Sequence, residues 1–307
     1  MSGKLIYYLF VLPLSKLPLG VLYLFSDLLS FIFIHIYSYR GKVVDFNLKR
    51  SFPDKSTEEI RTIKKRFYRH FCDILIEGIK NISISEKELR KRILVNNKEI
   101  IDVLYQKNKS VLLVSGHYNN WEWLVCAQNF LFPHQAVGIG MPLSNAFWDK
   151  KLNERRARFG MRIIHAKLVK DFYKQKFEKP IATLILSDQS PPDSNKSYWM
   201  NFLNQQTAVL FGCELLAHQH NFAVVYFTMY KVKRGYYEMK FQLITEKPQL
   251  CKWGEITEKH TKLLEEAILS KPEYWMWSHK RWKREVPNDL IHLKEKQEKE
   301  FYSKFTK

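Results

Sequence analysis

With 46% apolar and 26% charged residues, the 307-residue chain is too apolar for a disordered segment and too charged for a polytopic membrane protein. It is long enough for one large domain with its own core. Its 50 Lys and Arg against 31 Asp and Glu give a net charge of +19, which implies a polyanionic neighbour: nucleic acid, an anionic membrane surface or an acidic protein. The four cysteines, Cys72, Cys126, Cys213 and Cys251, include no C-x-x-C pair. They read as reduced, mostly buried residues in a reducing compartment.

Residues 5–37 are dominated by Leu, Ile, Phe, Val and Tyr, interrupted by Lys16, Asp27, Pro13 and Pro18. The stretch 17–37 is long enough to cross a bilayer, since about 20 apolar residues suffice. Asp27 would cost on the order of 3 kcal/mol near mid-span, so a spanning helix and a helix lying in the interface are both open. Arg40, Lys42, Lys49 and Arg50 follow the run and only Lys4 precedes it, so the positive-inside rule places the body in the cytosol. The same cations suit anionic headgroups.

Residues 45–80 read as helical, with Ser56-Thr57-Glu58-Glu59 opening a segment whose Ile60, Ile63, Phe67, Phe71 and Ile74 recur at helical spacing. Short apolar runs at 111–115, 136–139, 181–186 and 223–229 read as strands, and 236–245 as an edge strand. Helices are expected between them at 120–131, 145–159, 168–177 and 207–218. This alternation predicts an α/β fold: one mixed, largely parallel sheet covered by helices. Residues 290–307 form a charge-dense helix or tail with no chemical role.

The chemistry concentrates in Ser115-Gly116-His117-Tyr118-Asn119-Asn120-Trp121-Glu122, directly after the strand 111–115. A strand that ends in Gly-His and passes into a helix puts the imidazole at the carboxyl end of the sheet, where ligands of open α/β folds collect. A tight loop would let Glu122 turn back to one imidazole nitrogen and leave the other free to take a proton from a hydroxyl. That would be the base and orienter of a triad whose serine is replaced by a substrate hydroxyl.

G-H-x-x-N-W-E after a buried strand resembles the H-x-x-x-x-D/E block of glycerolipid and lipid A acyltransferases, and within them the late lipid A acyltransferases of Gram-negative inner membranes. Further blocks, in the family's order, carry the resemblance over nearly the whole chain. Tyr39-Arg40 through Asn47-Leu48-Lys49-Arg50-Ser51-Phe52-Pro53 looks like the block after the membrane anchor, and Arg155-Arg156-Ala157-Arg158-Phe159-Gly160 like the arginine block. Leu186-Ser187-Asp188-Gln189 resembles the D-Q block, Thr207 the threonine opening the next helix, and Glu273 to Lys283 the closing W-x-H-x-R-x-K element. Two departures stand out: the D-Q block continues Ser190-Pro191-Pro192-Asp193, and Trp121 and Trp123 look like a variant subgroup.

The resemblance implies a membrane anchor at 1–38, an acyltransferase domain at 39–289 and the tail at 290–307. It implies transfer of a fatty acyl chain from an acyl carrier protein or coenzyme A thioester to a hydroxyl of an anionic lipid acceptor, a lipid A precursor, on the cytoplasmic face of the inner membrane. An aminolipid or glycerophospholipid acceptor is the alternative, and a non-catalytic, membrane-tethered polyanion-binding protein a second. His117 is the expected general base and Glu122 its orienter. Arg156, then Arg158, would bind a phosphate or carrier group or steady the oxyanion, with Asp188 and Gln189 in support. No metal or cofactor is required, because a thioester is already activated. The basic and aromatic cluster from Trp275 to Arg284 reads as an interfacial belt rather than a nucleic-acid patch, as no nucleic-acid module is recognised.

Overall fold

The structure is a computed structural model that describes residues 3–305. Seven strands form one sheet: β1 (Ile93–Asn96), β2 (Val111–Ser115), β3 (Gln135–Gly140), β4 (Arg162–His165), β5 (Ile181–Leu186) and, late in the chain, two longer strands, Ala223–Lys233 and Tyr236–Thr245. Between β5 and these lies a separate hairpin, β6 (Tyr198–Phe202) and β7 (Gln205–Val209), so the long pair are β8 and β9. The order across the sheet is β1-β9-β8-β2-β5-β3-β4, and every neighbouring pair is parallel except β8 with β9. The expected α/β fold with a mixed, largely parallel sheet is therefore present.

β2 is central, and all five of its residues are buried, as expected of a strand covered on both faces. Val111 and Leu113 pack into one apolar cluster, Leu112 and Val114 into the cluster on the opposite face, which is the period of two expressed as two cores.

The expected strands at 111–115 and 181–186 are found with those ends. The strand 236–245 is not at an edge, because β1, a run of only four residues, pairs outside it. Thr207 does not open a helix. It lies in β7, whose turn from β6 uses Leu203 and Asn204 at φ 49° and 62°, the left-handed geometry of a two-residue hairpin. The helix begins only at Gly212 (Gly212–His220). The terminal helix (Leu290–Phe305) is not wholly solvated, since Phe301 is buried against Phe211 and His218.

The amino-terminal segment departs most from expectation. Among the described residues, no helix is long and apolar enough to cross a membrane. Helical turns at Gly3–Ile6, Tyr7–Val11 and Leu12–Lys16 stop at Pro18, and α1 (Leu19–His35) has only 17 residues. Its inner face carries Leu19, Leu22, Ser26 and Ser30, all buried. It packs on a long helix (Thr57–Lys80) opened by the Ser56/Glu59 capping box. Gly41–Ser51 is helical too, so Thr57–Lys80 is α3 and Gly41–Ser51 is α2. Asp27 is no mid-span charge: it pairs with Arg234 at 2.6 Å, and Arg234 also bonds Asp73, which accepts from Ser26 Oγ at 2.8 Å.

One turn earlier on α1, Tyr23 donates to Glu77 Oε1 at 2.7 Å. Glu77 is fully buried on α3 and also accepts from Asn120 Nδ2 at 2.5 Å and Tyr237 OH at 2.6 Å. Burial drives its carboxyl above the ordinary range, against the pull of its donors. A buried acid stripped of a donor is costly. We predict that Tyr23→Phe lowers stability by about 1–3 kcal/mol, read as a shift of the urea midpoint. Deleting residues 1–38, which removes Tyr23, Ser26 and Asp27 together, is expected to abolish cooperative unfolding rather than to release a soluble enzyme; a truncated chain with an unchanged midpoint would contradict this docking.

Candidate active site

β2 and β5 are parallel neighbours with Ser115 opposite Leu186, so two residues past each strand end His117 and Asp188 stand at one level. Gly116 permits their approach. A Cβ there would fall 2.7 Å from Leu264 Cδ2 and 3.0 Å from Asp188 Cγ, so any side chain would push the acid away from the loop.

Asp188 accepts three hydrogen bonds: from the His117 backbone N–H at 2.8 Å, from His117 Nδ1 at 2.6 Å and from Trp275 Nε1 at 2.7 Å. Burial alone would raise its pKa, but the adjacent imidazole and these donors hold it down at about 2. A carboxylate on Nδ1 fixes the tautomer with its proton there and leaves a lone pair on Nε2. Nε2 lies 3.2 Å from Gln189 Nε2, an amide nitrogen able to donate to it. Trp121 stands edge-on to the ring at 4.9 Å. The imidazole is partly exposed at 16%, whereas Asp188 is 3% exposed, so the base reaches solvent and its partner does not.

The loop is held at every residue after His117. Tyr118 OH donates to the carbonyls of Ala267 and Lys271, and Asn119, at φ 55°, gives its side-chain amide to Met229 O at 2.6 Å. Asn120 caps the following helix (Trp121–Leu131) by accepting from Trp123 N while its own amide reaches Glu77.

Glu122 does not orient His117. Its carboxylate is held by Arg155 Nη2 at 2.7 Å and by Arg156 through both Nη2 and Nε. Burial opposes ionisation here, but the two guanidiniums outweigh it and lower the pKa. The reason is position: on the first turn of a helix whose cap is fixed, the side chain points toward the helix Ala146–Ala157 that carries both arginines. The arginine block is consumed internally as well. Arg155 also donates to Gly78 O at 3.0 Å, and Arg158 to the carbonyls of Ile82 and Ile84. Arg156 thus commits Nε and Nη2 to Glu122, and Arg158 commits both Nη atoms to carbonyls.

The closing element is core more than belt. Trp275 and Trp277 are 3% and 0% exposed, and Asn47 on α2 binds the carbonyls of Trp277 and His279, both at 2.8 Å. His279 Nε2 accepts the Ser190 N–H at 3.1 Å, and burial, its largest influence, lowers its pKa to about 4. Arg281 is 2% exposed with no partner for Nε. Burial lowers its pKa to about 10 against the attraction of Asp188. Sequence reasoning placed Asp188 only in support and missed its bonds to Trp275 and His117, although the equal offsets of 117 and 188 from their strand ends carried that signal.

Two predictions separate the acids. A carboxyl with a depressed folded pKa contributes stability above its ordinary value, and that contribution disappears as pH falls through the folded value. For Asp188 the window runs from 3.8 down to about 2. The stability gap between wild type and Asp188→Asn should therefore narrow by about 2 kcal/mol across it, at 1.36 kcal/mol per unit, as followed by urea unfolding at stepped pH. Glu122→Gln should instead cost about 3–5 kcal/mol near neutral pH, because it strands two partly buried guanidiniums; a loss below about 1 kcal/mol would show the cluster to be dispensable.

Comparison with known proteins agrees with the motifs. Residues 2–284 match the family described as bacterial lipid A biosynthesis acyltransferase. The lipid A biosynthesis lauroyltransferase of Escherichia coli (strain K12) is 24% identical over 273 residues, which cover 87% of each chain. The buried strand, the histidine at its end and the closing tryptophan element all lie within the matched span, and the chain belongs to the bacterial lipid A biosynthesis acyltransferases.

Proposed function

We propose that this acyltransferase moves a fatty acyl chain from an acyl carrier protein thioester to a hydroxyl of a lipid A precursor, with His117 as general base and Asp188 as its orienting partner. The observation that carries this reading is the 2.6 Å bond from His117 Nδ1 to Asp188, with Nε2 turned to an exchangeable amide. An acceptor hydroxyl entering in place of the Gln189 amide would give its proton to Nε2 as its oxygen attacks the thioester carbonyl. The new C–O ester bond forms, the C–S bond breaks, and the proton passes from Nε2 to the departing sulfur. Asp188 stabilises the imidazolium between these transfers. Developing negative charge on the carbonyl oxygen is assigned to Arg281, whose burial and open Nε support that role.

Attachment to the cytoplasmic face of the inner membrane is part of the proposal. The outward side of α1 exposes Leu24 at 68%, Leu28 at 59% and Phe31 at 55%. This supports a helix lying in the interface with its apolar face in lipid. The +19 charge favours both an anionic bilayer and an acidic carrier.

His117→Ala should fold and lose at least about a thousandfold in turnover, and Asp188→Asn at least about a hundredfold. The double variant should be no slower than His117→Ala, because residues acting as a unit are not additive. Folded Glu122→Gln should keep most of its rate. Purified His117→Ala retaining more than about a tenth of turnover would remove it as the base. For the donor, kcat/KM with an acyl carrier protein should fall more steeply with ionic strength than with a matched coenzyme A thioester; equal slopes would assign the net charge to lipid.

A further inference from the structure

Beside the closing segment, helix α2 with Lys280, Trp282 and Lys283 lines a half-open cavity of about 290 Å³. Its wall is of two kinds. Val43, Phe46, Trp282 and the alkyl stems of the lysines supply a mostly apolar surface with Asn47, and the exposed residues Lys42, Lys280 and Lys283 stand around it. No acid lines it, and among the described residues none of the three lysines makes an ion pair. A second depression shares Lys42 and Val43 and continues past Arg40 and the Asp45–Lys64 ion pair to Tyr37. Tyr37 and Ile36, 65% and 73% exposed, prolong the apolar side of α1.

We infer that this cavity binds the headgroup of an acidic glycerophospholipid of the bilayer, its phosphate among Lys42, Lys280 and Lys283 and the start of an acyl chain along Val43, Phe46 and Trp282. Each half of the wall excludes a simpler ligand. A bare anion would leave the apolar surface unused, and an uncharged chain would leave three exposed lysines around it without a counter-charge. Lysines act on phosphate as point charges and need no planar fork. The site is braced rather than loose: Asn47 ties α2 to the carbonyls of Trp277 and His279, and Arg40 donates to Ser278 O at 2.9 Å. Continuity with the exposed side of α1 gives the lipid a direction, its chain running toward the surface that meets the bilayer.

The inference rests on the membrane reading above, so the test uses one probe that needs a bilayer and one that does not. The full chain is titrated with dihexanoyl-phosphatidylglycerol below its micelle concentration, and separately sedimented with phosphatidylcholine vesicles with and without phosphatidylglycerol. Saturable binding of one short-chain lipid per chain is expected, weakened at least about tenfold in Lys42→Gln/Lys280→Gln/Lys283→Gln. The control Lys262→Gln/Lys296→Gln/Lys299→Gln removes the same charge elsewhere and should stay within about twofold. The thermal midpoint shows that both variants fold. No short-chain binding, equal binding of dihexanoyl-phosphatidylcholine or of glycerol 3-phosphate, or an equal loss in the control overturns the site. So does tenfold tighter competition by a phosphorylated glucosamine lipid, which would give the cavity to the acceptor. If short-chain lipid binds as expected and vesicles do not, the site stands and the membrane reading falls.

Discussion

One carboxylate organises the reactive end of this sheet. Asp188 takes a backbone donor, an imidazole donor and an indole donor from two segments distant in sequence. A buried carboxylate has few ways to stay ionised, and full hydrogen bonding is the main one. Meeting that need fixes several things together: the approach permitted by Gly116, the tautomer of His117, and the seat of the closing element through Trp275. The helix Glu255–Ser270 joins the arrangement because Leu264 packs where a Gly116 side chain would be.

The same logic distributes charge over the molecule. Asp73, Glu77, Glu122 and Asp188 are withdrawn into networks with Lys231 and Arg234, with Tyr23, Tyr237 and Asn120, with Arg155 and Arg156, and with His117. Several acids thus have their charge used inside, while lysines such as Lys42, Lys280 and Lys283 remain at the surface. The same networks take in Lys231, Arg234, Arg155 and Arg156, so the withdrawn charges balance and the +19 excess is left to act outward.

The sheet was legible because central parallel strands are short apolar runs with polar ends, and β2 and β5 begin and finish where the apolar residues do. Once those two runs are paired in parallel, equal offsets bring 117 and 188 together. Glu122 misled because a spacing of five residues says nothing about where a helix points its first turn, and its partners lie 33 and 34 positions away. The β6–β7 turn was hidden because Leu203 and Asn204 take a conformation usually signalled by glycine. Counting apolar residues overstated the first helix: Ser26 and Ser30 face inward beside Leu22, and Pro18 shortens the run.

The seat of Glu77 bears on the order in which the chain is assembled. Its donors are supplied by residues 23, 120 and 237. During synthesis α1 emerges first, yet the pocket that fixes Tyr23 is incomplete until β9 has left the ribosome, more than two hundred residues later. Throughout that interval Leu22 and its apolar neighbours have no finished core to enter. A chaperone or another apolar surface is the natural host for such a segment, so the first helix is expected to need a temporary partner before it finds the body of its own protein.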